Sequence, residues 1–170
     1  TSLTVTASGV ADVTIGNMFL GTATAGFSSS LDTINLTAGT GNIVVGAVLA
    51  TGAAVSSMDV TLGASAGAST IGAVTATSVG PIGITTGNGG GTLTIADVEA
   101  ATVGNVTIAN NDNVTFTDLG ATGGTLGNIV VTGTGATAGV VDITVDDVLT
   151  LGTVDTTGSS ANNVITLNNT

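Results

Sequence analysis

The chain has 170 residues, a net charge of −11, and not one Lys, Arg, His, Cys, Trp or Tyr. Charged residues make up 6% of it, against an average of about 25%, and all of them are acidic. That composition excludes the phosphate neutralisation that dominates nucleic-acid binding, opposes contact with anionic membrane surfaces, and leaves neither a disulfide nor a Lys–Asn isopeptide to hold the molecule together.

The remaining composition argues for a folded chain. It is 42% hydrophobic with a single proline, Pro81, the reverse of the low-hydrophobicity, high-charge pattern of disorder. Membrane insertion is not expected. The longest apolar stretch, residues 43–55, is interrupted by Gly and Thr and falls short of the roughly 20 residues a spanning helix needs. A membrane barrel carries aromatic girdles, and here three Phe are the only aromatic residues. The opening TSLTVTASG has neither the charged start nor the apolar core of a signal peptide, and the missing initiator Met fits a processed, exported product.

Taken in chain order, the sequence repeats a small set of phrases. LTVTASG from Leu3, VTIGNM from Val13 and LGTATAG from Leu20 come first. INLTAGT from Ile34, IVVGAV from Ile43 and LATGA from Leu49 follow. Then come VTLGASA from Val60, STIGAV from Ser69 and VTATSVG from Val74, and after them IGITTGN from Ile82 and LTIADV from Leu93. VTIANND from Val106, VTFTDL from Val114 and LGATGG from Leu119 repeat the series. IVVTGTG from Ile129, ITVDDV from Ile143, VDTTGSS from Val154 and ITLNNT from Ile165 close it.

Within each phrase the period is two: Val13 and Ile15 share one side and Thr14 takes the other, as do Leu93/Ile95 with Thr94 and Val114/Phe116 with Thr115. β-Branched residues at alternate positions between Gly-rich turns are strand signals, and recurrent Gly, Val, Ile and Thr oppose helix. A propeller blade needs about 40–50 residues, nearly twice this step. The expected fold is therefore all-β: one parallel β-solenoid domain over residues 1–170, with about seven coils of roughly 25 residues, three short strands per coil and partial end coils. Stacking at ~4.8 Å per strand makes a rod roughly 30 Å long.

INLTAGTGNIVVGAVLATGA (34–53), with its apolar–Thr–apolar cadence, resembles the repeats of filamentous-haemagglutinin-type surface proteins and, more broadly, the β-strand-repeat stalks of secreted bacterial adhesins. That resemblance implies a right-handed β-helix outside the cell, serving as stalk, fibre or adhesive surface.

Few residues offer chemistry. The fifth position of the second phrase reads Asn17, Ala47, Ala73, Asp97, Asp118, Asp147 and Asn169. In stacked coils Asp97, Asp118 and Asp147, thickened by Asp146, form an acidic column that suits calcium or an exposed corner where Asp and Asn tolerate tight turns, the reading that Asn17 and Asn169 at its ends favour. The Gly-rich run TTGNGGGTLTIADVE (85–99) only partly matches a calcium nonapeptide and lacks the Lys of a phosphate cradle. Outward Thr14, Thr94, Thr115, Thr144 and Thr166 suggest a Thr array that orders water or ice, or simply a solvated sheet face. Sequons at Asn35, Asn105, Asn113 and Asn168 are expected by chance in so Asn- and Thr-rich a chain. Asp97 and Glu99 are the nearest approach to a catalytic acid pair, and no enzyme is expected. Strand-forming phrases at both ends, without a capping element, suggest an extracellular or cell-surface structural protein whose copies stack head to tail. The alternatives are a stalk segment of a large secreted adhesin and a pilin completed by a donated N-terminal strand. The last of these requires an antiparallel sandwich.

Overall fold

The computed structural model describes residues 2–7, 9, 11–19, 31–64, 67–110, 112–120, 124–133, 139–146, 148, 150–158 and 163–168. Among them every regular element is a strand. β1 (Ser2–Ala7), β2 (Val13–Ile15) and β3 (Met18–Phe19) open the winding, followed by β4 (Leu31–Ala38), β5 (Ile43–Val45) and the long β6 (Val48–Leu62). Next are β7 (Ala68–Ile71), β8 (Val74–Val79) and β9 (Ile82–Thr86), then β10 (Thr92–Glu99), β11 (Thr102–Val103) and β12 (Val106–Ala109). β13 (Asn113–Leu119), β14 (Thr125–Leu126) and β15 (Ile129–Val131) follow, and β16 (Val141–Asp146), β17 (Thr150–Leu151), β18 (Val154–Asp155) and β19 (Val164–Asn168) complete the fold.

Each strand pairs in parallel with one about a winding further along, so the chain is a parallel β-solenoid. One face stacks β1, β4, β6, β9, β12, β15 and β18. A second stacks β2, β5, β7, β10, β13, β16 and β19. Shorter pairings along β3, β6, β8, β11, β14 and β17 close the third side. On the first face Ile34, Met58, Ile82 and Val106 succeed one another at steps of 24 residues, close to the period read from the phrases. The winding amounts to about five turns rather than seven coils. Seven copies of a phrase enclose fewer complete windings than seven, and the end coils are partial.

The core is a set of columns, each made of one inward position repeated along the axis. One runs Leu3, Ile34, Met58, Ile82, Val106, Ile129, Val154. Another runs Ile15, Val45, Ile71, Ile95, Phe116, Ile143, Ile165. In the middle turns these side chains are buried, each contributing about 1.5–3 kcal/mol relative to exposure. Like sits on like because a parallel register repeats each position at strand spacing. The narrow interior admits one buried aromatic among the described residues, Phe116.

On the first and second faces the register departs from the phrase count at the phrases that start at Val60 and at Ile143. Ile34 pairs with Met58, not Val60, and Val114 pairs with Val141, not Ile143. Both slips are of two residues, which preserves the side each residue faces and so leaves no trace in a period-two pattern.

Glycine is required where the chain turns between faces. A Cβ on Gly104 would lie 2.7 Å from the carbonyl carbon of Gly80 and 2.8 Å from the nitrogen of Pro81 in the turn beneath, closer than a side chain can approach. Gly104 N–H donates to Val79 O at 2.8 Å, and the coils close up on each other through this corner.

Candidate functional site: the acidic corner and the open turns

The corner after the second face carries the acidic column. Asp97 and Asp118 stand in register on β10 and β13, both partly buried. Asp146, at the end of β16, is the neighbour whose charge acts most strongly on Asp118. Asp147 lies outside the described residues. Burial, then the Asp146 charge and less so that of Asp97, holds the Asp118 carboxyl above the usual carboxylate range, while the backbone N–H groups of Asp146 and Leu119 pull it down. Its Oδ1 is buried without a hydrogen-bond partner. Among the described residues no group of three or more carboxylates is disposed to hold a metal ion. At the same corner one end of the column does simpler work: Asn17 Oδ1 accepts from Ala47 N–H at 3.0 Å, tying one turn to the next.

That tie recurs elsewhere as an asparagine ladder. Asn105 Oδ1 accepts from Asn128 N–H at 2.9 Å, and Asn128 Oδ1 accepts from Thr153 N–H at 2.8 Å. Asn113 Oδ1 accepts from Val140 N–H at 2.8 Å. The sequon residues Asn105 and Asn113 are thus parts of the corner structure.

The threonine array is discontinuous. Thr14, Val44, Thr70, Thr94 and Thr115 form one outward column, but Asp142 and Val164 continue it. Thr144 and Thr166 pair with each other two residues further along, a consequence of the slip at Val141. A more regular column, Thr6, Thr37, Thr61 and Thr85, lies on the first face. Asp97 and Glu99 share β10, the first partly buried and the second exposed.

A buried polar network joins the Gly-rich run to the next turn, and the phrase reading missed it. Asp112 is 3% exposed and Asn110 1%. Asp112 Oδ1 accepts from Gly89 N–H at 3.1 Å and Gly90 N–H at 2.7 Å, so this chain's own carboxylate fills the Gly-rich cradle. Asp112 N–H donates to Thr86 Oγ1 at 3.0 Å. Asn110 Nδ2 donates to the carbonyls of Asp112 and Gly139 at 3.1 and 2.7 Å. The triplet Asn110-Asn111-Asp112 was the available signal, since Asn and Asp cluster where side chains replace backbone partners in a turn.

The last turn has a different surface. Val154 is 37% exposed, Val164 49% and Leu167 58%, whereas the other large apolar residues exposed among those described are Val44 and Val140. At the opposite end Leu3, Val5, Val13, Ile15 and Met18 are only partly buried against the core.

These features define the chain as a parallel β-solenoid. Searches against protein-family models, curated proteins and solved structures find no match.

Proposed function

We propose that this chain is a structural rod of the cell exterior, whose copies stack head to tail into a filament or surface coat. One observation carries the reading: among the described residues, the inward columns present incompletely covered aliphatic side chains in both the first and the last turn. Extending the register one step beyond the last turn sets Val154 over Leu3 and Ile165 over Ile15 of a second copy. Outward, Asp155 falls over Thr4 and Val164 over Thr14. Apolar residues meet apolar residues, and none of these four positions opposes two carboxylates. Among the described residues the outer edges of β18 and β19 on one side, and of β1 and β2 on the other, pair with no further strand, and such edges supply the backbone groups a contact of this kind uses. A head-to-tail contact of this kind is heterologous and grows without closing.

The same open edges suit a stalk segment of a large secreted adhesin, in which further sequence of one chain covers them. This second reading rests on the likeness of the repeats to filamentous-haemagglutinin-type and β-strand-repeat proteins. A donor-strand pilin needs an antiparallel sandwich, whereas β1 pairs in parallel with β4, which opposes that arrangement.

Electron microscopy and sedimentation of the purified chain across protein and salt concentration test the proposal. Filaments that lengthen with salt, as the charge of −11 per copy is screened, support it. Val154→Asp combined with Leu167→Asp abolishes them while leaving the circular dichroism of the single rod unchanged. Short rods at every concentration overturn the homopolymer and leave the stalk.

A further inference from the structure

The corner between β9 and β10 contains the chain's single Asn-Gly step, Asn88–Gly89. Asn88 and Gly90 are exposed and Gly89 is partly buried, and Gly90 has φ +77°. An Asn-Gly step is the one most open to attack by the following backbone nitrogen on the Asn side-chain carbonyl, because Gly brings no Cβ to obstruct it. The exposed Asn35, Asn105, Asn113 and Asn128 precede Leu, Val, Val and Ile, and the β-branched side chains in particular crowd that nitrogen.

In the folded molecule the attacking atom is held. Gly89 N–H and Gly90 N–H both point at Asp112 Oδ1. Asp112 is itself fixed, buried and bonded through its own N–H to Thr86 and through its carbonyl to Asn110. Hydrogen bonds to an ionised acceptor are about twice as strong as neutral ones.

We infer that Asn88 is a site of spontaneous deamidation and that Asp112 is the brake on it. In the reaction the Gly89 nitrogen attacks Asn88 Cγ and forms the new C–N bond. Its proton is relayed through water to the side-chain amide nitrogen, the bond from Cγ to that nitrogen breaks, and ammonia departs, leaving a cyclic succinimide. Water then adds at either imide carbonyl and opens the ring to an aspartyl or isoaspartyl residue. To attack, the Gly89 nitrogen must leave the peptide geometry in which Asp112 receives its N–H, losing that bond. Deamidation places a second negative charge beside Asp112 in a chain without a cation. The isoaspartyl product also adds a backbone carbon to a corner whose length is set by the register of β9 and β10.

The test follows ageing of the whole chain in mildly alkaline buffer. A glutamyl endoprotease cuts after Glu99, the only Glu, and mass spectrometry then scores amide-to-acid conversion at residue 88. The expected results are slow conversion in the native chain, severalfold faster conversion in the urea-unfolded chain, and none at that position in Asn88→Gln. Asp112→Ala, kept folded by circular dichroism, speeds conversion severalfold. Thr86→Val loosens the hold on Asp112 but spares the carboxylate, and speeds conversion less than Asp112→Ala does. Equal rates in native and unfolded chains overturn the proposal. So does a slower reaction in Asp112→Ala, which would make the carboxylate a base, or equal acceleration in Thr86→Val, which would reduce Asp112 to general support of the fold.

Discussion

Phe116 and Ile165 occupy the same inward column two turns apart. Phe116 is 1% exposed, while Ile165 is only partly buried. The difference lies in neighbours. A middle strand is covered by a turn above and a turn below, and an end strand is covered on one side. In a solenoid stability is close to a sum of such nearest-neighbour terms, so one phrase is worth different amounts at different heights in the stack.

The largest expected effect follows from that contrast. Phe116→Ala lowers unfolding stability by about 3–5 kcal/mol, and Ile165→Ala by less, roughly 1–2 kcal/mol, because that side chain is only partly buried. Urea denaturation at low protein concentration measures both. An equal cost at the two positions would mean that the last turn is covered in solution.

Glycine corners sharpen the comparison next. Gly104→Ala forces a Cβ onto the backbone of Gly80 and Pro81 and costs about 1–3 kcal/mol of overpacking. Gly16 occupies a corner of the first turn, where a Cβ would meet nothing within 4 Å. Gly16→Ala is therefore expected to stabilise by about 0.4–1 kcal/mol through the unfolded chain. A thermal melt of each variant decides it.

The ladder gives a smaller effect. Asn105→Ala strands the N–H of Asn128 and costs about 1 kcal/mol, read as faster amide exchange at Asn128 and in β15.

Two carboxylates give the smallest effects, with opposite signs. Asp118 is held above the usual range, chiefly by burial and next by Asp146. A raised acid stabilises the fold most when protonated, below its unfolded value of 3.8, and that contribution disappears as pH rises through its folded value. Asp118→Asn therefore raises Tm at neutral pH, and the gain fades as the buffer is taken below that unfolded value. Asp155, in the last turn, is lowered because its Oδ1 accepts from Thr157 Oγ1 at 2.7 Å and from Thr157 N–H at 2.9 Å. Its ionised form favours the fold above 3.8, and the advantage is lost as pH falls through the folded value. Thr157→Val removes the hydroxyl's share and lowers Tm slightly at neutral pH only. A Tm-against-pH series on both variants tests the two signs together.

The sequence by itself determined the class of fold and which side of each strand faces inward. Val13/Ile15, Leu93/Ile95 and Val114/Phe116 all turn their predicted faces to the core, because alternation is a local property of extended backbone. It also located the pairing of Asp97 with Asp118. Tertiary structure alone decided the register. Pairing Met58 with Ile34, and Val141 with Val114, keeps every residue on the same side, so only packing between turns distinguishes it from the alternative two residues away. That choice moved Thr144 and Thr166 out of the threonine column and set Asp142 and Val164 in it. The stacking of Thr92 on Asn113 brought Asp112 under the Gly89–Gly90 amides, a contact between residues more than twenty positions apart that no local pattern encodes.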